Sequence, residues 1–257
     1  MKDTFFEKYK KRFNIEIRGV PSKFMGVEIH RDRSQKLLTI TQEKFIREAC
    51  DKFLNSTYCK TFSTPVQSSK TEEFMKITTA KDDQERAMMR NKPYMSLMGT
   101  LLWAVFTHPE IAYHVSFLCQ FMQDPSTQAF DAGLGVLAYL SSVRKAGITY
   151  DGKHPHVVAF TDSSWAQTPF PYGGYAIFFC GGAVSFAARK LKTVPQSSAE
   201  AETAVYASTA KDLRFILNVL GCDGLQIDLG SLLPVNIYCD NQAAVTNITN
   251  VGATART

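Results

Sequence analysis

The 257-residue sequence is sparing with the features that mark several common kinds of protein. Its six cysteines, at positions 50, 59, 119, 180, 222 and 239, stand singly, with no C-x-x-C pair. That spacing argues against a zinc ribbon, a dithiol redox motif or a tight disulfide framework. It predicts reduced thiols in an intracellular protein, cytoplasmic or nuclear. The five histidines (30, 108, 114, 154 and 156) have no metal-ligand spacing to Cys or Asp and read as surface or core residues. The most apolar stretch, Leu97–Phe106, is closed by His108, Pro109 and Glu110. It is about half the length of a membrane-spanning helix, so no membrane partner is expected. Met1–Phe13 is basic (Lys2, Lys8, Lys10, Lys11, Arg12) and lacks the apolar core of a secretory signal. No segment is of low complexity. With 45% hydrophobic and 21% charged residues, the composition is that of a globular chain of one or two domains.

Charge of one sign is in small excess overall, +5, but it is unevenly placed. Residues 1–60 hold 14 Lys and Arg against 8 Asp and Glu, residues 61–150 hold 8 of each, and residues 151–257 hold 7 against 8. A phosphate-binding surface beside a carboxylate-lined site produces this asymmetry, and so does an ordinary solvated basic helix.

Periodicity and punctuation give the elements. Thr4–Phe13 reads as a basic amphipathic helix. Lys23–His30 and Leu37–Thr41 read as a hairpin around a turn at 31–35, and Gln42–Phe53 as a helix. Gln67–Asp83 is polar and reads as a mobile loop. Tyr94–Phe106, Pro109–Met122 and Ser126–Val143 read as three helices, with Pro109 in a first turn and Ser126 as an N-cap. Trp103 reads as core; Trp165, just after Asp162, either packs or faces a ligand, with packing the simpler reading. The pattern then changes to β: His156–Thr161, Gly174–Cys180 and Ala183–Ala188, with a hairpin turn at Gly181-Gly182. A long helix, Ser197–Leu220, ends at Cys222-Asp223-Gly224. A strand, Val235–Cys239, and a helix, Asn241–Ile248, follow. The fourth strand is expected to pair in parallel with the first.

That topology concentrates carboxylates. Asp162 ends the first strand of this unit and Asp240 ends the fourth, so parallel pairing brings both to the edge where open α/β sheets place their sites. Glu200 and Glu202 lie in the first turns of the long helix, and Glu202 shares a face with Val205, Tyr206 and Thr209. Converging carboxylates repel unless a cation joins them, and hard oxygen donors suit magnesium or manganese. Two such ions about 3.5–4 Å apart serve phosphodiester hydrolysis. Spacing alone equally allows Asp162 to start a turn, the glutamates to complement the helix dipole and Asp240 to cap the last helix.

The motifs carry a resemblance. T-D-S-S-W-A at 161–166, G-G-Y at 173–175, V-S-F-A-A-R-K at 184–190, S-S-A-E-A-E at 197–202 and Y-C-D-N-Q-A-A at 238–244 resemble the ribonuclease H domain of copia-type retrotransposon polyproteins. Upstream, F-M-G-V-E-I-H at 24–30 resembles the primer-grip hairpin of a reverse transcriptase palm. T-Q-E-K-F-I at 41–46, C-K-T-F-S-T-P-V at 59–66, P-Y-M-S-L-M-G-T-L-L-W at 93–103 and T-H-P-E-I-A-Y at 107–113 are similar to the segment that joins palm and ribonuclease H. The likeness spans essentially the whole chain.

The resemblance implies three regions: residues 1–40 as the end of the palm, 41–150 as a mainly helical thumb or tether, and 151–257 as an RNase H-like mixed α/β sheet. It implies hydrolysis of the RNA strand of RNA–DNA hybrids, with Asp162, Glu202 and Asp240 as catalytic residues holding two Mg2+ ions, or Mn2+. Glu200 is the fallback for the helix carboxylate. Ser197 and Ser198 are placed to meet the hybrid backbone, and Asn241 and Gln242 to meet sugar or base edges, although Asn241 serves equally as a helix cap. The polymerase Asp-Asp hairpin of the family is not in this chain. Neither are the last strand, the last helix and the fourth carboxylate, so the domain is expected to be truncated and its activity open. Gly133 and Gly135 weaken the helix at 129–140 by roughly 1 kcal/mol each relative to Ala. Competing readings are a non-catalytic nucleic-acid-binding remnant and an inert product of a decayed element. The sequence carries no signal of oligomeric state.

Overall fold

A computed structural model describes residues 10–14, 19–54, 62–164, 171–192, 194–221 and 227–249. It is a mixed α/β structure with a helical middle region and two four-stranded sheets. Most of the expected helix at 4–13, together with Trp165, Cys59 and the 222–224 stop, lies outside the described residues.

The first sheet contains β1 (Lys23–Phe24), β2 (Val27–Asp32), β3 (Leu37–Thr41) and β4 (Gly147–Asp151), in that order and all antiparallel. The run expected as one strand, Lys23–His30, is two. Met25 and Gly26 both take positive φ, 48° and 84°, and fold Lys23–Phe24 back onto Val27–Glu28. Strand β4 falls where the sequence suggested only the end of a helix. It pairs with β3 across a long separation, Ile148 opposite Ile40 and Tyr150 opposite Leu38.

Between β3 and β4 lie α1 (Glu43–Phe53), α2 (Thr71–Met75), α3 (Asp83–Met89), α4 (Tyr94–Ala104), α5 (Ala112–Leu118) and α6 (Thr127–Val143). Ser126 caps α6 as expected, its Oγ accepting from the Ala129 N–H at 3.2 Å. The 109–122 segment is one short α-helix flanked by 3-10 turns rather than a continuous helix. The mobile-loop reading of Gln67–Asp83 is wrong: Phe74, Ile77 and Ala80 are buried, and the first two belong to the helical core. Each buried aliphatic or aromatic side chain contributes about 1.5–3 kcal/mol, enough to hold a short polar segment down. Trp103 is not core. It is 36% exposed and stacks on Phe106, ring centroids 5.9 Å apart.

The second sheet has the order β7 (Gly182–Lys190), β6 (Tyr172–Phe179), β5 (Val157–Ser163), β8 (Asn236–Tyr238). β6 runs antiparallel to both neighbours, whereas β5 and β8 are parallel, with Ala159 opposite Ile237. The β6–β7 turn centres on Cys180 and Gly181, both at positive φ (53° and 77°), one residue earlier than expected. That pair of left-handed residues is the geometry that a two-residue hairpin turn demands, and glycine supplies it without strain. Helix α7 (Ser198–Leu220) packs on one face, where Val157, Ala159, Ile177 and Leu213 form a second core. Helix α8 (Gln242–Thr249) follows β8.

The sheets meet at the β4 edge. The Tyr150 hydroxyl donates to the Ala183 carbonyl at 2.9 Å, and the Asp151 N–H donates to the Cys180 carbonyl at 2.6 Å.

Candidate active site

The parallel pairing of β5 and β8 sets the geometry. Asp162 is the penultimate residue of β5, and Asp240 lies two residues beyond β8. Both are exposed and line one cleft of about 700 Å³ at the carboxyl ends of these strands. One wall is aromatic. Phe160 and Tyr238, each two residues before its aspartate, stack with centroids 5.3 Å apart and ring planes 21° from parallel. Tyr113 and Tyr172 close another side.

Helix α7 delivers the third carboxylate from the opposite face of the sheet. Ser197 caps the helix, accepting from the Glu200 N–H at 3.2 Å, and Glu200 itself accepts from the Gln196 N–H at 2.8 Å. Glu200 is therefore an exposed capping residue. Glu202, two residues on and turned by about 200°, is only 3% exposed and lies on the buried stripe with Val205 and Thr209. The helix approaches β6 closely here, because a Cβ on Gly173 would collide with the Val205 side chain.

Glu202 is tightly held. Its Oε1 accepts from both the N–H and the hydroxyl of Ser163, at 2.9 and 2.8 Å. Its Oε2 faces the Cys239 thiol, 3.7 Å away. Burial pushes its carboxyl above the usual range, and the nearby charges of Asp162 and Asp240 push the same way; the Ser163 hydrogen bonds oppose them. Burial also raises the Cys239 thiol. Ligand atoms of Glu202, Cys239 and Asp240 all lie within 4.8 Å of one another, and Asp162 stands outside that group. A buried carboxylate destabilised by two others is the electrostatic arrangement that a divalent cation relieves, and the oxygen-rich donors fit Mg2+.

The flanking polar residues are also placed. Asn241 caps α8, its Oδ1 accepting from the Ala244 N–H at 3.0 Å, and its amide donates to Ser198 Oγ at 3.3 Å. Ser197, Ser198 and Gln242 are exposed. Two participants escaped the sequence reading. Ser163 was visible only as part of T-D-S-S, and Cys239 only as an isolated thiol next to an aspartate.

The fold and cleft together define a mixed α/β protein with an acidic site at the carboxyl ends of two adjacent parallel strands. The chain is 29% identical over 252 residues to a retrovirus-related Pol polyprotein from transposon TNT 1-94 of Nicotiana tabacum, covering 96% of this chain and 18% of that one. It is 28% identical over 237 residues to the corresponding polyprotein from transposon RE1 of Arabidopsis thaliana, covering 91% of this chain and 15% of that one. A putative transposon Ty5-1 protein of Saccharomyces cerevisiae is 27% identical over 222 residues, 82% of this chain and 67% of that one. No family model and no solved structure matches. Over most of its length the chain is thus similar to a segment of the copia-type retrotransposon Pol polyproteins. It spans less than a fifth of the two polyproteins' length.

Proposed function

We propose that this segment is the ribonuclease H end of a copia-type reverse transcriptase and hydrolyses the RNA strand of RNA–DNA hybrids. The observation that carries the reading is the near-fully buried Glu202 carboxylate, held between the carboxyl ends of β5 and β8 beside Asp162 and Asp240. In this reading residues 151–257 form an RNase H-like domain, with the end of the palm at 1–40 and the thumb or tether at 41–150.

Asp162, Glu202 and Asp240 would hold the magnesium ions, which would supply positive charge to phosphodiester hydrolysis. The protein's own part is positional. Ser163 fixes Glu202 in one rotamer, and the two aspartates, open to the cleft, can follow the substrate phosphate. Ser197 and Ser198 at the start of α7, with Asn241 and Gln242 at the start of α8, offer donors to the nucleic-acid backbone where helix N-termini favour anions. The basic excess of residues 1–60 holds the template–primer, with affinity that falls steeply with salt.

The position of Asp162 outside the tighter Glu202–Asp240 group favours a second reading, a hybrid-binding segment with an incomplete centre. One experiment separates the two: cleavage of a labelled RNA–DNA hybrid by the purified chain, with and without magnesium, beside Asp240→Asn. Magnesium-dependent cleavage lost in the variant supports the nuclease. Salt-sensitive binding without cleavage by a cooperatively folded chain overturns it in favour of the second reading.

A further inference from the structure

A centre read from its carboxylates alone leaves Cys239 without a role. Its Sγ is 3.7 Å from Glu202 Oε2 and belongs, with Asp240, to the group of ligand atoms within 4.8 Å of one another. A tetrahedral cation bound to one thiolate at about 2.3 Å and one carboxylate oxygen at about 2.0 Å holds those two atoms about 3.5 Å apart. The sulfur and the oxygen already stand within a few tenths of an ångström of that spacing.

A separate observation points to a polar occupant of the same place. Thr161 is 5% exposed and lines the same cleft, and its hydroxyl has no hydrogen-bond partner among the described residues. It precedes Asp162 on β5, and continuing the β5–β8 register places it opposite Cys239. A buried hydroxyl favours a polar partner, and a hydrated cation held by Cys239, Glu202 and Asp240 would supply one.

We propose that Cys239, Glu202 and Asp240 form a site for a thiophilic divalent cation, zinc or cadmium, that competes with magnesium for the carboxylate cluster. Soft thiolate sulfur favours such ions over magnesium, which takes hard oxygen donors. The Cys239 S–H bond breaks as the sulfur–metal bond forms, and the proton passes to solvent, so no oxidant or reductant is needed. The ion would occupy Asp240 and Glu202 in a geometry unsuited to the hard ion, making the centre sensitive to zinc. The inference rests on reading this cluster as a cation site and does not depend on hybrid cleavage.

The test uses cadmium as probe on the full chain in magnesium buffer. Binding is read from the ultraviolet thiolate-to-cadmium charge-transfer band. Alkylation of each cysteine by a maleimide, with and without cadmium, is mapped by mass spectrometry. The expected result is a Cys239-dependent band that is lost in Cys239→Ser, with cadmium affinity weakened roughly tenfold or more in Asp240→Asn. In the native chain, cadmium should slow alkylation of Cys239 roughly tenfold, since a metal-held thiolate is a poor nucleophile. A band unchanged in Cys239→Ser or in Asp240→Asn overturns the proposal. So does equal alkylation of Cys239 with and without cadmium, which requires no variant to fold. Loss of hybrid cleavage alone, with these signals intact, counts against the nuclease reading only.

Discussion

The backbone N–H and the hydroxyl of Ser163 converge on a single oxygen of Glu202, spanning from β5 to α7 at 2.9 and 2.8 Å. Both bonds favour the ionised carboxylate, against the burial and the neighbouring charges that oppose it. Ser163→Ala keeps the N–H bond and removes the hydroxyl bond. A hydrogen bond to a charged group contributes about 1.5–3 kcal/mol, so a stability loss of that order is expected by urea denaturation at neutral pH. Glu202 should become harder to ionise, and the magnesium concentration needed to raise the melting temperature should increase. A magnesium dependence identical to that of the native chain would remove Ser163 as a positioning residue.

Glu202 also sets a pH dependence. Its folded carboxyl lies above the ordinary 4.5, chiefly through burial. A raised carboxyl stabilises the fold fully below the unfolded value, and that contribution is lost as pH rises through the folded one. In chelator, Glu202→Gln should therefore be less sensitive than the native chain to a rise in pH from 4 to 7, and at least as stable at pH 7. The same variant should lose the magnesium-induced rise in melting temperature. Thermal melts at both pH values, with EDTA and with magnesium, check both statements. A native-like magnesium response in the variant would remove Glu202 from the centre.

The parts of the fold that local pattern controls are legible in the sequence. V-V-A-F-T-D alternates as β5 does, Ser126 and Ser197 mark helix starts, and the stripe of Val205 and Thr209 shows which way Glu202 faces. The parts set by long-range partners are not. Strand β4 is short and becomes a strand only by pairing with β3, more than a hundred residues earlier. Phe74, Ile77 and Ala80 are too widely spaced among polar residues to announce burial. The choice between Glu200 and Glu202 is one of direction around a helix, decided by packing against β5 and β6. Cys239 reads as an isolated thiol because its neighbour, Glu202, lies 37 residues away in the chain.

The two glycines of α6 share a propensity but differ in surroundings. A Cβ on Gly133 would lie 2.9 Å from Met98 Cε and 3.0 Å from Leu97 Cδ2, whereas a Cβ on Gly135 meets nothing within 4 Å among the described residues. Gly135→Ala should stabilise the chain by about 0.5–1 kcal/mol, through helix propensity and a less flexible unfolded chain. Gly133→Ala should gain the same propensity and lose at least as much to displaced core side chains, leaving it no more stable than the native chain. Urea midpoints of the two variants decide the matter, and equal stabilisation by both would contradict the packing described for α4 against α6.

Glu85 acts as a clasp between α3 and α6 far from the cleft. One of its oxygens accepts from the N–H and the hydroxyl of Thr127, both at 2.8 Å, and the other from the Lys81 N–H at 2.9 Å. These bonds, that of Lys81 foremost, hold its carboxyl down at about 2, below the ordinary 4.5. A lowered carboxyl contributes stability above its unfolded value and loses it as pH falls through the folded one. The contribution should thus be complete at pH 6 and decline between about pH 4.5 and 2. Glu85→Gln should be less stable than the native chain at pH 6 and should converge with it toward pH 3, because a neutral amide oxygen accepts more weakly and does not titrate. Urea midpoints at pH 6 and pH 3 test this; a difference as large at pH 3 as at pH 6 would mean that Glu85 contributes through packing rather than charge.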